Sequence, residues 1–320
     1  MRALLLALLF CPAAAAAGPL DCPAKAAPGA AAAEAAEDCP WAGVARLLGD
    51  KAQRHEALEP VLAAYAPGLL RQLDADRPTP VLQLWGESIN FDELARGTIV
   101  EPAILSFLAS RLGAPQPRGL YAHAGMEHTY GYLFSLLPTK FGFKRARWVR
   151  PDIETGLGLP RGLLGPAPAE GTLLANVTCV AGGIALRDDP AAYALLERML
   201  PYCGAAARAY AARPVKHSRL TEEVALPGGR TVALRTDLVP FKAAAGGNTH
   251  LLVYSVYDSA LKRAYLVTAF PVNSGFVKTV LAPAGLGKGK PVQTRYNAYV
   301  EGFTGAGKFK GERKVFPPGR

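Results

Sequence analysis

Near residue 220 the spacing of the apolar residues changes, and this limits the fold more than any other feature of the chain. Upstream they recur mostly every three or four positions, as on one face of a helix; downstream they form short alternating runs between turn-forming residues. Residues 221–226 and 231–239 flank Pro227-Gly228-Gly229, and residues 251–257 and 264–270 flank Asp258-Ser259-Ala260-Leu261-Lys262, so two β-hairpins are expected. Residues 276–281 and 296–303 are expected to complete an antiparallel sheet. Helices early and strands late define an α+β protein with a helical N-terminal half and a C-terminal antiparallel β-sheet.

Within the first half, residues 41–73 read as helices broken near Pro60 and Pro67. Residues 81–85 read as a short strand, and residues 91–112 as a helix starting near Asn90, with Pro102 in a first turn. Residues 172–186 suggest a pair of strands around Gly182-Gly183. Residues 190–213 form a helix capped by Asp188 or Asp189, with Pro201 able to break it.

The ends read differently. Arg2 followed by the apolar residues 4–10 and the alanines 13–17 has the layout of a signal peptide, cut near residue 17. Residues 18–40 are an Ala/Pro-rich linker, 41–219 a mainly helical or mixed region, 220–303 the β region and 304–320 a basic tail, with 41–303 able to form a single domain. The chain is expected to be exported, to the periplasm or the extracellular space. Four cysteines follow the signal, Cys22, Cys39, Cys179 and Cys203, which suits two disulfides in an oxidising compartment. The pairing of neighbours, Cys22 with Cys39 and Cys179 with Cys203, keeps each bridge local. A nucleophilic role for Cys179 is the competing reading.

Half of the residues are hydrophobic and 19% are charged, enough for a core and too apolar for wholesale disorder. The net charge of +10 is concentrated in residues 286–320 and in 140–150. Gly302-Phe303-Thr304-Gly305-Ala306-Gly307-Lys308 mimics a phosphate loop, but Phe309 stands where a magnesium-binding hydroxyl belongs, so ATP is not an expected ligand. No cofactor is expected.

Chemistry concentrates in His123-Ala124-Gly125-Met126-Glu127-His128. Two imidazoles and a carboxylate suit acid/base work, with His128 catalytic and Glu127 or His250 its partner. Metal binding by His123 and His128 is the weaker reading, because residues five apart diverge by about 140° around a helix. Lys144, Arg145, Arg147 and Trp148 lie in a run of cations and aromatics that would clamp an anionic substrate. The same run reads equally as a strand with its aromatics in the core. Two functions follow. One is a hydrolase for an envelope or polyanionic substrate. The other is a non-catalytic protein docking a basic surface on a membrane surface of anionic lipid, a cell-wall polymer or another anionic polymer such as nucleic acid.

Overall fold

Prolines set the rhythm of the helical half. Pro60, Pro67, Pro102 and Pro190 each occupy the first turn of a helix, where the missing N–H has no intrahelical partner to lose. In the computed structural model, which describes residues 40–92, 94–139, 142–241, 247–281, 298–299 and 310–316, the chain opens with α1 (Trp41–Gln53), α2 (Glu59–Tyr65) and α3 (Pro67–Asp76). Then come β1 (Glu87–Ile89), α4 (Pro102–Leu112), β2 (Tyr121–His123), α5 (Ala124–His128), α6 (Ala146–Val149) and α7 (Asp152–Leu157). The helices α8 (Leu173–Ala185), α9 (Pro190–Met199) and α10 (Ala205–Ala212) complete this half.

The β half is the long sheet of β3 (His217–Ala225), β4 (Thr231–Pro240), β5 (Asn248–Asp258), β6 (Arg263–Asn273) and β8 (Lys310–Phe316), with α11 (Ser274–Leu281) after β6. Its order is β6-β5-β4-β3-β8, antiparallel throughout. A smaller sheet pairs β1 with β2 and with β7 (Ala298–Tyr299). The fold is α+β, and both expected hairpins are present. Gly228 and Gly229 take positive φ at the first turn, a conformation that glycine adopts without steric cost.

Several local expectations are overturned. Residues 172–186 are not strands but the helix α8, capped by Thr172, whose Oγ1 accepts from the Ala175 N–H at 3.0 Å. All thirteen of its residues are buried, so it carries no polar face to betray a helical period. Its glycines serve packing rather than a turn. A Cβ on Gly182 would lie 2.8 Å from Leu196, and one on Gly183 would lie 2.6 Å from the backbone of Ala211. α9 and α10 therefore approach α8 closely. Residues 276–281 belong to α11 rather than to a strand, and Asn273 Oδ1 accepts from the Phe276 N–H at its start.

Residues 81–84 belong to a 3-10 turn, Pro80–Leu84, begun by Thr79, and Trp85 follows it in an extended conformation. The helix expected from residue 91 begins only at Pro102, because Asp92 Oδ1 accepts from the N–H groups of Leu94 and Ala95 and curls the chain into a turn. Asn90 closes that loop by exchanging two hydrogen bonds with Val100. Residues 310–316, read as part of a basic tail, pair with β3 from Lys310↔Glu223 to His217↔Phe316. The helix over 190–213 is broken by the turn Leu200–Tyr202, which contains Pro201.

Cys179 and Cys203 form a disulfide joining α8 to the segment before α10. Cys22, Cys39, the signal peptide and all but Pro40 of the linker lie outside the described residues. No helix among the described residues is long and apolar enough to cross a membrane.

Candidate functional site

α5 is a five-residue helix pressed against Trp85, and Gly125 makes the approach feasible: a Cβ there would lie 2.6 Å from the indole. Trp85 is itself fixed by donating to Thr178 Oγ1 of α8 at 2.8 Å. This packing buries Glu127 and His128 completely, at 0% and 1% exposure.

His123 begins α5. Its Nδ1 accepts from the Met126 N–H at 3.3 Å and its Nε2 lies 3.0 Å from the Leu82 carbonyl. Both ring nitrogens are engaged, which leaves neither for a metal. Among the described residues no group of three or more His, Cys, Asp or Glu side chains is placed to hold a metal ion. Burial holds the His123 pKa below the ordinary histidine value.

His128 is different. Its Nδ1 meets the carbonyl of Val267 on β6, and since a carbonyl only accepts, Nδ1 carries the proton. Burial drives the imidazole pKa well below its usual value, with the Arg147 charge adding to the effect, so the ring is neutral. Nε2 is then a bare acceptor, and it is buried without a hydrogen-bond partner.

Glu127 shows the same incompleteness. Oε2 is paired with the Ser88 hydroxyl, which also lies 3.3 Å from the Ala122 carbonyl. Oε1 is buried and unpartnered. Burial pushes the Glu127 carboxyl up to about 7, against the opposing pull of Ser88, Arg147 and Lys144. When protonated, it can pass a hydrogen bond through Ser88 to Ala122. The two neighbours thus have their ordinary order of acidity reversed, the carboxyl holding its proton more firmly than the imidazolium.

The cations lie on α6 and the turn before it. Arg147 donates to Thr268 Oγ1 at 2.9 Å, one residue along β6 from the carbonyl that holds His128. Its guanidinium packs against the rings of Tyr132 and Phe270, 5.0 and 5.1 Å from their centroids. Tyr132 in turn lies 4.8 Å from the His128 ring, so one aromatic side chain borders both groups. Burial lowers Arg147 to about 10, still charged at neutral pH. Lys144, lowered chiefly by burial and then by Arg147, sits 3.7 Å from Asp92.

The structure gathers Glu127, His128, Lys144 and Arg147, and separates the remaining candidates from them. His250 pairs with Pro240 and Val272, and its Nδ1 is 2.9 Å from Thr249 Oγ1. Val272 lies five residues along β6 from Val267, so roughly 17 Å of strand separates His250 from His128. Arg145 is interior, donating to the Ser135 carbonyl at 2.7 Å and covering Phe143 at 3.9 Å. Trp148 is buried and donates to the His128 carbonyl at 2.6 Å. These two brace the site and have no surface from which to grip a polymer. Ser88, Tyr132 and Thr268 are not part of the expected site: Ser88 and Thr268 join it through the packing of β1 and β6 against α5, and Tyr132 through the 3-10 turn Gly131–Phe134 that follows α5.

No protein-family model matches the chain, and comparison with curated proteins and with solved structures yields no match.

Proposed function

We propose that the chain is a hydrolase acting on an anionic substrate through an acid/base pair, Glu127 and His128. One observation carries this reading: two adjacent, fully buried side chains each retain a polar atom without a partner, Oε1 and Nε2. A buried polar group left unsatisfied costs about 1–3 kcal/mol, and such a cost on two successive residues suits a site that completes its hydrogen bonds with a ligand. The reversed acidities supply the roles. Neutral His128 accepts the proton of an attacking water at Nε2, and protonated Glu127 gives its proton to the leaving group. Arg147 supplies the positive charge that draws an anionic substrate to this pair.

The docking alternative loses support because Arg145 and Trp148 are interior and Lys144 already faces Asp92. An oxidising location, periplasmic or extracellular, suits the Cys179–Cys203 disulfide.

The test is turnover of a panel of chromogenic carboxylic and phosphoric esters. Glu127→Gln and His128→Ala are each expected to slow hydrolysis by about 100-fold or more. Equal rates in wild type and variants, or no hydrolysis of any member of the panel, would overturn the reading.

A further inference from the structure

We propose that Arg147 is the docking point for a carboxylate, so that the substrate bears a free carboxylate near the bond that is cleaved. The carboxylate subsite stands on the surroundings of Arg147; its link to a cleaved bond rests on the acid/base reading above.

Two other arginines of limited exposure, Arg219 and Arg230, have acidic partners. Arg219 binds Asp237 and Asp188, and Arg230 binds Asp258. Arg147 does not: among the described residues its hydrogen-bond partner is the neutral Thr268 hydroxyl, and no carboxylate lies within ion-pair distance. Glu127 acts on it only through longer-range attraction. The guanidinium is instead walled by Tyr132 and Phe270, with the Trp148 ring 5.8 Å away. A half-buried cation among rings, with one hydrogen bond and no counter-ion, is deficient in negative charge. The low polarity of its walls strengthens any anion that reaches it.

The form of that anion follows from the donors. Nη1 is committed to Thr268, so the guanidinium offers its remaining coplanar N–H groups, a fork that fits the two oxygens of a planar monoanion. A phosphate or sulfate dianion calls for further cations. The nearest, Lys144, is already opposed by Asp92. Position fits as well. Arg147 and His128 are held by consecutive residues of β6 and share Tyr132 as a neighbour, and Glu127 lies within electrostatic reach of Arg147, which puts a carboxylate on the fork at the same end of the sheet as the acid/base pair.

The Trp148 indole N–H reports on this place, since it donates to the His128 carbonyl. Full-length protein carrying 15N-labelled indoles is titrated at constant ionic strength with acetate, benzoate, sulfate and inorganic phosphate. The Trp148 signal is assigned by its loss in Trp148→Phe. The expected result is a saturable shift with both carboxylates, weakened about tenfold or more in Arg147→Lys, which keeps the charge and loses the fork. Failure of either carboxylate to saturate, or tighter binding of sulfate or phosphate, would overturn the proposal. If Arg147→Lys does not fold, the ranking of the four anions by the wild type still decides. A second comparison separates this proposal from the one it rests on. Equal kcat/KM for esters with and without a free carboxylate sinks the carboxylate preference alone. Saturable carboxylate binding without turnover of any ester sinks the acid/base reading alone.

Discussion

Asp76 and Glu127 are two buried carboxyls at one short stretch of chain, Asp76 bonded to Tyr130 and Glu127 three residues before it, and their surroundings are completed to different degrees. Asp76 Oδ2 accepts from the Tyr130 hydroxyl at 2.5 Å and Oδ1 from Thr172 at 2.6 Å, so both oxygens are satisfied. Nearby, Gln72 accepts from the Leu173 N–H and donates to the Pro166 carbonyl. This network ties α3 to the start of α8. Three residues before Tyr130, Glu127 has one oxygen paired and one empty, and His128 has one nitrogen empty. Burial raises both acids, Asp76 to about 6 and Glu127 to about 7. A raised carboxyl therefore does not by itself mark a site. Unfilled acceptors on two successive buried acid/base residues set Glu127 and His128 apart.

That contrast breaks most directly by truncation. Asp76→Ala should lower stability by about 3 kcal/mol, because two buried hydroxyls lose their acceptor, and denaturant unfolding measures it. Glu127→Gln should stay within about 1 kcal/mol of wild type at pH 5, since the amide fills the same space and carries no charge. A loss in Glu127→Gln as large as in Asp76→Ala would erase the distinction.

A pH series sharpens it. A carboxyl whose folded pKa lies above its unfolded value favours the fold when protonated, and that advantage is lost as pH rises through the folded value. For Glu127 the window runs from about 4.5 to about 7, so Glu127→Gln should gain stability relative to wild type across it. His128 has the opposite sign. Its depressed pKa contributes stability above about 6.5 that is lost as pH falls, so His128→Ala should flatten the acid side of the profile. A constant difference between Glu127→Gln and wild type from pH 4.5 to 8 would contradict the buried, raised carboxyl.

The smallest effect concerns Ser88. Its hydroxyl pulls the Glu127 carboxyl downward, so Ser88→Ala should move the Glu127 titration to higher pH by roughly one unit or less, as read by 13C NMR of the carboxyl. A shift to lower pH would mean that Ser88 does not stabilise the ionised form.

The two regions also differ in what their sequences disclose. Glu127 and His128 stood out because charged groups cluster there, and both hairpins announced themselves through turn residues between alternating runs. α8 was hidden: Val177, Thr178 and Val180 favour strands, and the paired glycines imitate a turn when their true role is contact with α9 and α10. α11 was hidden by Phe276, Val277 and Val280, an apolar run too short for periodicity to distinguish helix from strand. His250 was drawn into the site as a polar residue at the mouth of an apolar strand, and register along β6 sets it apart from His128. Ser88 lies 39 residues from Glu127, and Val267 lies 139 from His128, separations that no local pattern bridges.

The most direct test of the central claim is hydrolysis per folded molecule by Glu127→Gln on the ester panel, measured beside its unfolding free energy. The account predicts a rate about 100-fold or more below wild type with stability equal or higher at pH 8. A folded Glu127→Gln protein that hydrolyses at the wild-type rate would make the Glu127–His128 pair, like the Asp76 network, a feature of structure alone.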